Sequence, residues 1–441
     1  MYALQPTCIY MLEALKHDAD ALARVRRMVG ALGRDMQDVR LIDESNVYDA
    51  VRELSAWPPE ALLADVPREH QRALVFTRTA CDRPREGDAL LEGRPEDVSE
   101  GVLAGVLGYI DPVRDYHTYE SDTQRNMVCW PTRDFGVMHG CSHGCFYCGD
   151  GKFGKYLAIG ANIEEYTEKV IGPTILDTPQ QRCFRMIGWG ADIISLEPEY
   201  GVFEAFLAKL AEHDRYGYFH SNSDHVDWVE HVPNRDRLIG VWSMACDAMA
   251  EAIEPGSPSP DARIEAARKC QSWGVPIRYK FKPMVPVRNW RAEYASLIRR
   301  IFERTKPETI GFCVLIWMNL DQLKARIDPD LLDADYLREA EEAVETMNGQ
   351  THAPFPHHVR AEIYRFLIGE VRKWDAEVPI FLSTETREMW AELEEEVGQK
   401  ARSFMCGCNP IQLPGPKLKY SKGIRRSTFF PPSPTPAPAS R

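Results

Sequence analysis

From residue 135 onward, short apolar runs alternate with amphipathic stretches of about ten to fifteen residues. This alternation marks βα units feeding a parallel sheet, whose strands are buried on both faces and whose crossover helices bury one stripe. The runs at 135–138, 183–187, 216–220, 238–243, 276–281 and 309–316 are the expected strands. Asn162 before Ile163, Glu164 and Glu165 predicts an N-cap with an acidic first turn. Ser259, Pro260 and Asp261 open a helix that runs to Trp273 and is closed by Gly274, and 292–304 forms a further amphipathic helix. Six such units predict an α/β fold, a partial (β/α)6 TIM-type barrel with its site on the loops after the strands' C-terminal ends.

The flanks have a different pattern. Residues 1–130 read as a mixed α/β flanking domain, with strands at 8–11, 39–42 and 74–77. A helix is expected over 13–32, with Leu15, Leu22, Val25, Met28 and Val29 near one face. The barrel is expected over 131–320, followed by a mostly helical region at 321–405. That region has helical patterns at 331–347 and 359–374, a strand at 379–383 and a last helix from Thr386 to about residue 396. Residues 406–441 comprise a Cys406-Gly407-Cys408 loop and a basic, proline-rich tail that cannot build a core.

Composition narrows the class. The 441 residues are 44% hydrophobic and 27% charged, enough for a sizeable core. A net charge of −13 argues against broad, non-specific binding to nucleic acid or anionic membrane, which needs a basic footprint. The basic run from Lys417 to Arg426, with Phe429 and Phe430, suits either a solvated tail or phosphate and base contacts. The apolar stretch at 310–318 falls short of the roughly 20 residues a membrane helix needs, so no membrane partner is expected. Twelve cysteines without a signal-peptide start point to a reducing cytoplasm.

Chemistry concentrates in one loop, Cys141-Ser142-His143-Gly144-Cys145-Phe146-Tyr147-Cys148, directly after the first barrel strand. Soft thiolates select iron–sulfur clusters, zinc or copper(I). A cubane cluster takes four cysteines, one per iron; three on one loop leave an iron open to a small-molecule ligand. The competing assignment is structural zinc, held by the three cysteines and His139 or His143.

The spacing, with an aromatic residue before the last cysteine, resembles the signature of the radical S-adenosylmethionine (SAM) enzymes. That resemblance implies a 4Fe–4S cluster on Cys141, Cys145 and Cys148, with SAM chelated at the open iron. It also implies reductive cleavage of SAM to a 5′-deoxyadenosyl radical, and a one-electron reductant such as flavodoxin or ferredoxin as partner. Further runs are similar to spore photoproduct lyase: 192–198, His225-Val226-Asp227, Glu254-Pro255-Gly256-Ser257, 263–269, and 379–382 leading to Met389-Trp390. The resemblance implies that Tyr147 lines the loop and Ser243 lies near SAM; Asn222 and Ser243, as polar groups after the third and fourth strands, suit ribose or methionine contacts or turn capping. Asp192, in Gly188-Trp189-Gly190-Ala191-Asp192, can bind the methionine ammonium or belong to a turn that caps a helix.

Ser243, Ala245 and Cys246 are expected near the barrel mouth, and Lys280 and Lys282 near the end of the fifth strand, where a lysine orients a carboxylate or points to solvent. Cys406 and Cys408 are candidates for hydrogen donation, an auxiliary metal or a redox pair, against two incidental loop cysteines. With Tyr147 and Cys246 they form the candidate catalytic set. Trp189 stands where the lyase has its hydrogen-donating cysteine, and Gly149 where it has a tyrosine. The chain is therefore expected to apply the chemistry to another substrate, small-molecule or nucleic-acid.

Overall fold

The computed structural model describes residues 4–56, 73–82, 87–116, 123–148, 156–189 and 192–415, with the backbone alone at Gly188 and Trp189. Gly149 and the tail with its basic run lie outside these residues. Among the described residues twelve strands form one open, mostly parallel sheet. In chain order they are β1 (Ile9–Leu12), β2 (Val39–Ile42), β3 (Ala73–Thr77), β4 (Val113–Tyr116), β5 (Thr132–His139) and β6 (Tyr156–Gly160). Then follow β7 (Cys183–Trp189), β8 (Tyr216–Ser221), β9 (Leu238–Ser243), β10 (Ile277–Met284), β11 (Ile310–Val314) and β12 (Ile380–Leu382).

The sheet order is β12-β11-β10-β9-β8-β7-β5-β6-β3-β1-β2, with β4 pairing β5. The six strands expected for the barrel, β5 and β7 to β11, lie side by side and parallel, and β12 adds a seventh. All six residues of β9 are buried, as a strand covered on both faces requires. The helix Pro260–Ser272 begins where its start signal stands: Ser259 Oγ accepts from the Ala262 N–H at 3.2 Å and proline occupies the first turn. Gly274, at φ +88°, turns the chain out of it.

Two strands escaped the pattern. β4 is short and half exposed, and β6 runs Tyr-Leu-Ala-Ile-Gly, an apolar pentamer with no alternation. β6 pairs antiparallel with β5 and parallel with β3, which joins β3, β1 and β2 to the barrel's sheet. Asn162 does not cap its helix. Its carboxamide accepts from the Thr79 N–H and donates to the Thr79 carbonyl, tying the end of β3 to the start of the next helix. The expected helix over 13–32 is broken at Asp18, which caps a new helix, Ala19–Ala31, through the Ala21 N–H. Among the described residues, no helix is long and apolar enough to cross a membrane.

Candidate active site

The cysteine loop leaves the C-terminal end of β5, where a TIM-type sheet gathers its chemistry. None of the three cysteines is in a disulfide, and each is partly exposed. Gly140 and Gly144, both at positive φ, let the loop double back. The Cys148 N–H closes the turn on the Cys145 carbonyl at 3.1 Å.

Its seat is the segment after the helix Asp247–Ile253. The Phe146 N–H donates to the Ile253 carbonyl at 3.0 Å, and Cys145 Sγ lies 3.7 Å from Ser257 Oγ. Tyr147 OH donates to Glu254 at 2.5 Å, and Glu254 also pairs with Arg263; both members of that ion pair are buried. A Cβ at Gly256 would stand 2.3 Å from the His143 carbonyl oxygen, so only glycine admits the loop this close. The run Glu254-Pro255-Gly256-Ser257, which in sequence carried only resemblance, is thus the surface on which the thiols rest.

His143 is the second anchor. It is 3% exposed; Nδ1 faces the Gly256 carbonyl at 2.8 Å and Nε2 faces Asp192 Oδ2 at 2.9 Å. With both ring nitrogens directed at oxygen acceptors, neither is left for a metal, which removes His143 from the zinc assignment.

Asp192 is the centre of this second layer. Its Oδ2 also accepts from Ser221 OH at 2.6 Å and the Asn222 N–H at 2.9 Å. Burial alone would raise its carboxyl, but these three donors outweigh burial and hold it below the usual range. Its Oδ1 is buried without a partner, a free acceptor beside the cysteine loop. Asn222 Nδ2 lies 4.0 Å from Cys145 Sγ. Ser243 Oγ meets His220 Nε2 at 2.9 Å; burial, then the nearby Lys280, Arg185 and Lys282, keep that imidazole neutral by depressing it well below its ordinary value. The fold therefore gathers Asp192 and Asn222 at the cysteine loop and seats Ser243 on the neighbouring strand end.

Cys246 differs from its expected place at the mouth. It is fully buried in the apolar core near Tyr294, and burial pushes its thiol up to about 12. The reason is local: Cys246 directly precedes the helix Asp247–Ile253, whose Met249, Ala250 and Ile253 are buried with it in the core.

Cys406 and Cys408 enter the barrel from the other end. The Cys183 N–H, at the start of β7, donates to the Pro410 carbonyl at 2.8 Å. Near the start of β10, Arg278 donates to the carbonyls of Gly407 and Gln412 at 3.3 and 3.2 Å. The two sulfurs are 3.9 Å apart, and Lys280 Nζ donates to Cys408 Sγ at 2.8 Å. The hydrogen bond with Cys406 and the charges of Lys280 and Arg185 hold the Cys408 thiol well below its ordinary value despite burial; burial raises Cys406. Iodoacetamide at neutral pH is therefore expected to label Cys408 ahead of Cys183, whose thiol burial pushes up to about 12. Lys280→Met should move the pH profile of Cys408 labelling upward, since losing the cation disfavours the thiolate; peptide mass spectrometry after timed alkylation reads both.

Sequence reading missed a further charged layer inside the sheet. Asp134 on β5, wholly buried, pairs with Arg185 on β7, whose guanidinium lies 4.8 Å from the Tyr116 ring centre. Two charged residues in phase on adjacent strands were the available signal. His357 and His358 pair with surface glutamates and His352 is buried against the Thr384 carbonyl, in keeping with surface or packing roles.

Three thiols and no fourth on one loop, backed by a buried hydrogen-bonded layer, form a donor set suited to a site-differentiated iron–sulfur cluster. As the side chains stand, no three His, Cys, Asp or Glu groups among the described residues converge on one point to hold an ion. The donor chemistry and the braced loop fit the cluster.

Residues 131–315 match the family model described as spore photoproduct lyase. No curated protein matches the sequence. Among solved structures, a spore photoproduct lyase mutant with dinucleoside spore photoproduct aligns with a TM-score of 0.61 at 14% identity, over 86% of this chain and 98% of its own. The lyase complexed with dinucleoside spore photoproduct gives 0.59 at 12%, and a mutant with bound AdoMet and the same dinucleoside 0.58 at 13%, with the same coverage. These likenesses establish the fold. The family match thus covers residues 131–315, less than half of the chain, and over the aligned length the fold is that of spore photoproduct lyase.

Proposed function

We propose that this chain is a radical SAM enzyme in which Cys141, Cys145 and Cys148 hold a 4Fe–4S cluster and Asp192, Asn222 and Ser243 contact SAM. The observation that carries the reading is the loop itself: three cysteines outside any disulfide on one loop after β5, fixed through His143 to Asp192 and Gly256. Cys141, Cys145 and Cys148 would hold the cluster, and the chemistry it would supply when bound is one-electron reductive cleavage of SAM to methionine and a hydrogen-abstracting 5′-deoxyadenosyl radical. The protein's part is placement. Asp192 Oδ2 is consumed by three donors while Oδ1 stays open, so a ligand ammonium meets an acceptor already fixed in orientation. Burial raises the Tyr147 phenol well above its ordinary value, so it stays protonated and keeps donating to Glu254. The contact of Cys408 with Lys280 supports it as the candidate thiol for hydrogen donation or redox work.

The reading favours a substrate other than spore photoproduct, because in the sequence resemblance Trp189 falls where the lyase has its hydrogen-donating cysteine. A flavodoxin or ferredoxin is the expected electron source, in a reducing compartment. Protein purified without oxygen should contain iron and sulfide, and dithionite-reduced protein should convert SAM to 5′-deoxyadenosine. Absence of that product from reconstituted, SAM-binding protein would sink the proposal. Transfer of label from deuterated thymine-dimer DNA into the product would assign DNA repair instead.

A further inference from the structure

Strand β10 carries cations at every second position: Arg278, Lys280 and Lys282. The residues between them face the outer helix, Tyr279 OH meeting Thr305 Oγ1 at 3.2 Å and the Phe281 ring lying 6.0 Å from that of Tyr294. By strand alternation the three cations share the inner face, in order from the strand's N-terminal end to its C-terminal end.

Each of the first two has an anion. Arg278 Nε donates to Glu308 at 3.0 Å, and Lys280 Nζ donates to Cys408 Sγ at 2.8 Å. Lys282 is different. Its ammonium meets two hydroxyls, Ser383 Oγ at 3.2 Å and Thr384 Oγ1 at 3.4 Å, and lies 4.9 Å from the Trp317 ring centre. No carboxylate forms an ion pair with it among the described residues. An ammonium drawn out of water without an anion is costly; burial, with the charge of Lys280 added, depresses its affinity for the proton.

The surroundings are built rather than incidental. Trp317 lies in the loop after β11, with 54% of its surface exposed and φ at +64°. Thr384, after β12, has φ +56°. Two non-glycine residues in the left-handed region, a bulky one among them, flank one amine; such conformations persist where the surrounding structure over-determines them. Although the chain carries a net charge of −13, this inner face presents an unneutralised cation beneath an open indole face.

We propose that Lys282, Trp317, Ser383 and Thr384 receive the anionic end of the substrate, a carboxylate or phosphate attached to a flat unsaturated ring. The ammonium and the Ser383 hydroxyl take the anion, the Thr384 hydroxyl, which donates to the Ser383 carbonyl, holds the ammonium in place, and the ring lies on the indole. This completes on β10 the series in which each cation has an anion, the third arriving with the ligand. That the ligand is a substrate rests on the radical SAM reading, but the test makes no use of SAM cleavage.

Isothermal titration of the full-length, anaerobically purified protein with phenyl phosphate and with benzoate, against neutral benzamide, examines the site directly. Both anions should bind saturably and benzamide should not. Lys282→Met should weaken the anions at least about tenfold, roughly 1.4 kcal/mol, and Lys282→Arg should retain most of the affinity. Trp317→Leu should weaken phenyl phosphate more than inorganic phosphate, and it provides a second variant if Lys282→Met does not fold. Anions binding no better than benzamide, or equally well to Lys282→Met, would overturn the proposal. So would a loss of SAM binding in Lys282→Met with anion binding intact, which would give the lysine to the SAM carboxylate. A protein that binds the anions through Lys282 yet forms no 5′-deoxyadenosine would leave this proposal standing and remove the catalytic one.

Discussion

Cys145→Ala should yield a folded protein with background iron and sulfide that forms no 5′-deoxyadenosine. Two thiolates cannot supply one ligand to each of three irons, so the loss should exceed the roughly 10–100-fold that removal of an outer-shell partner costs. Cys145 is the most informative of the three because it is bracketed by Ser257 and Asn222, which stay in place when the thiol is removed. Iron, sulfide and zinc analysis of wild type and variant, with chromatography of the SAM products, reads the outcome. Zinc in place of iron in the wild type, lost in the variant, would establish the structural metal site instead. His143 would then be an improbable fourth ligand, since both its ring nitrogens are engaged.

The second large effect is on stability. Glu254→Ala strands the Arg263 guanidinium, which is fully buried, and at the same time releases Tyr147. Breaking one partner of a buried pair costs roughly 3–5 kcal/mol, because the remaining charge has lost its counter-ion while still out of water. The urea midpoint should fall accordingly, and iron retention should fall with it, since Glu254 supports the loop that holds the thiols. Replacing the pair together, Glu254→Leu with Arg263→Met, should recover much of the stability but not the support of Tyr147. Stability and iron content would then separate. If Glu254→Ala left both unchanged, the seat described for the loop would be wrong.

Much of this architecture was legible in the chain because the signals were local. The βα alternation located all six central strands to within a few residues, since strands covered on both faces read as largely apolar runs even where a few charged residues interrupt them. Cys141, Cys145 and Cys148 were legible because ligands on one loop are spaced by the loop itself. β6 was not: its pairing with β3 and β5 depends on strands separated from it in sequence, and five apolar residues fit a strand or a helix equally. Asn162 shows the same limit, its cap signal overridden by Thr79, 83 residues away.

The sequence by itself determined the donor set, the parallel αβ frame and the end of the sheet at which the thiols emerge. Tertiary structure alone decided which partners those residues meet. It turned Glu254-Pro255-Gly256-Ser257 into the seat of the loop and spent His143 on Asp192 and Gly256. It also buried Cys246, brought Cys408 to Lys280 from the opposite end, and left Lys282 facing Trp317 with no ion-pair partner among the described residues. The physical reason is common to all of these. Spacing along a chain sets which side chains can act together, but a hydrogen bond or ion pair forms across three ångströms of space, and those distances exist only once the sheet has brought distant strand ends side by side.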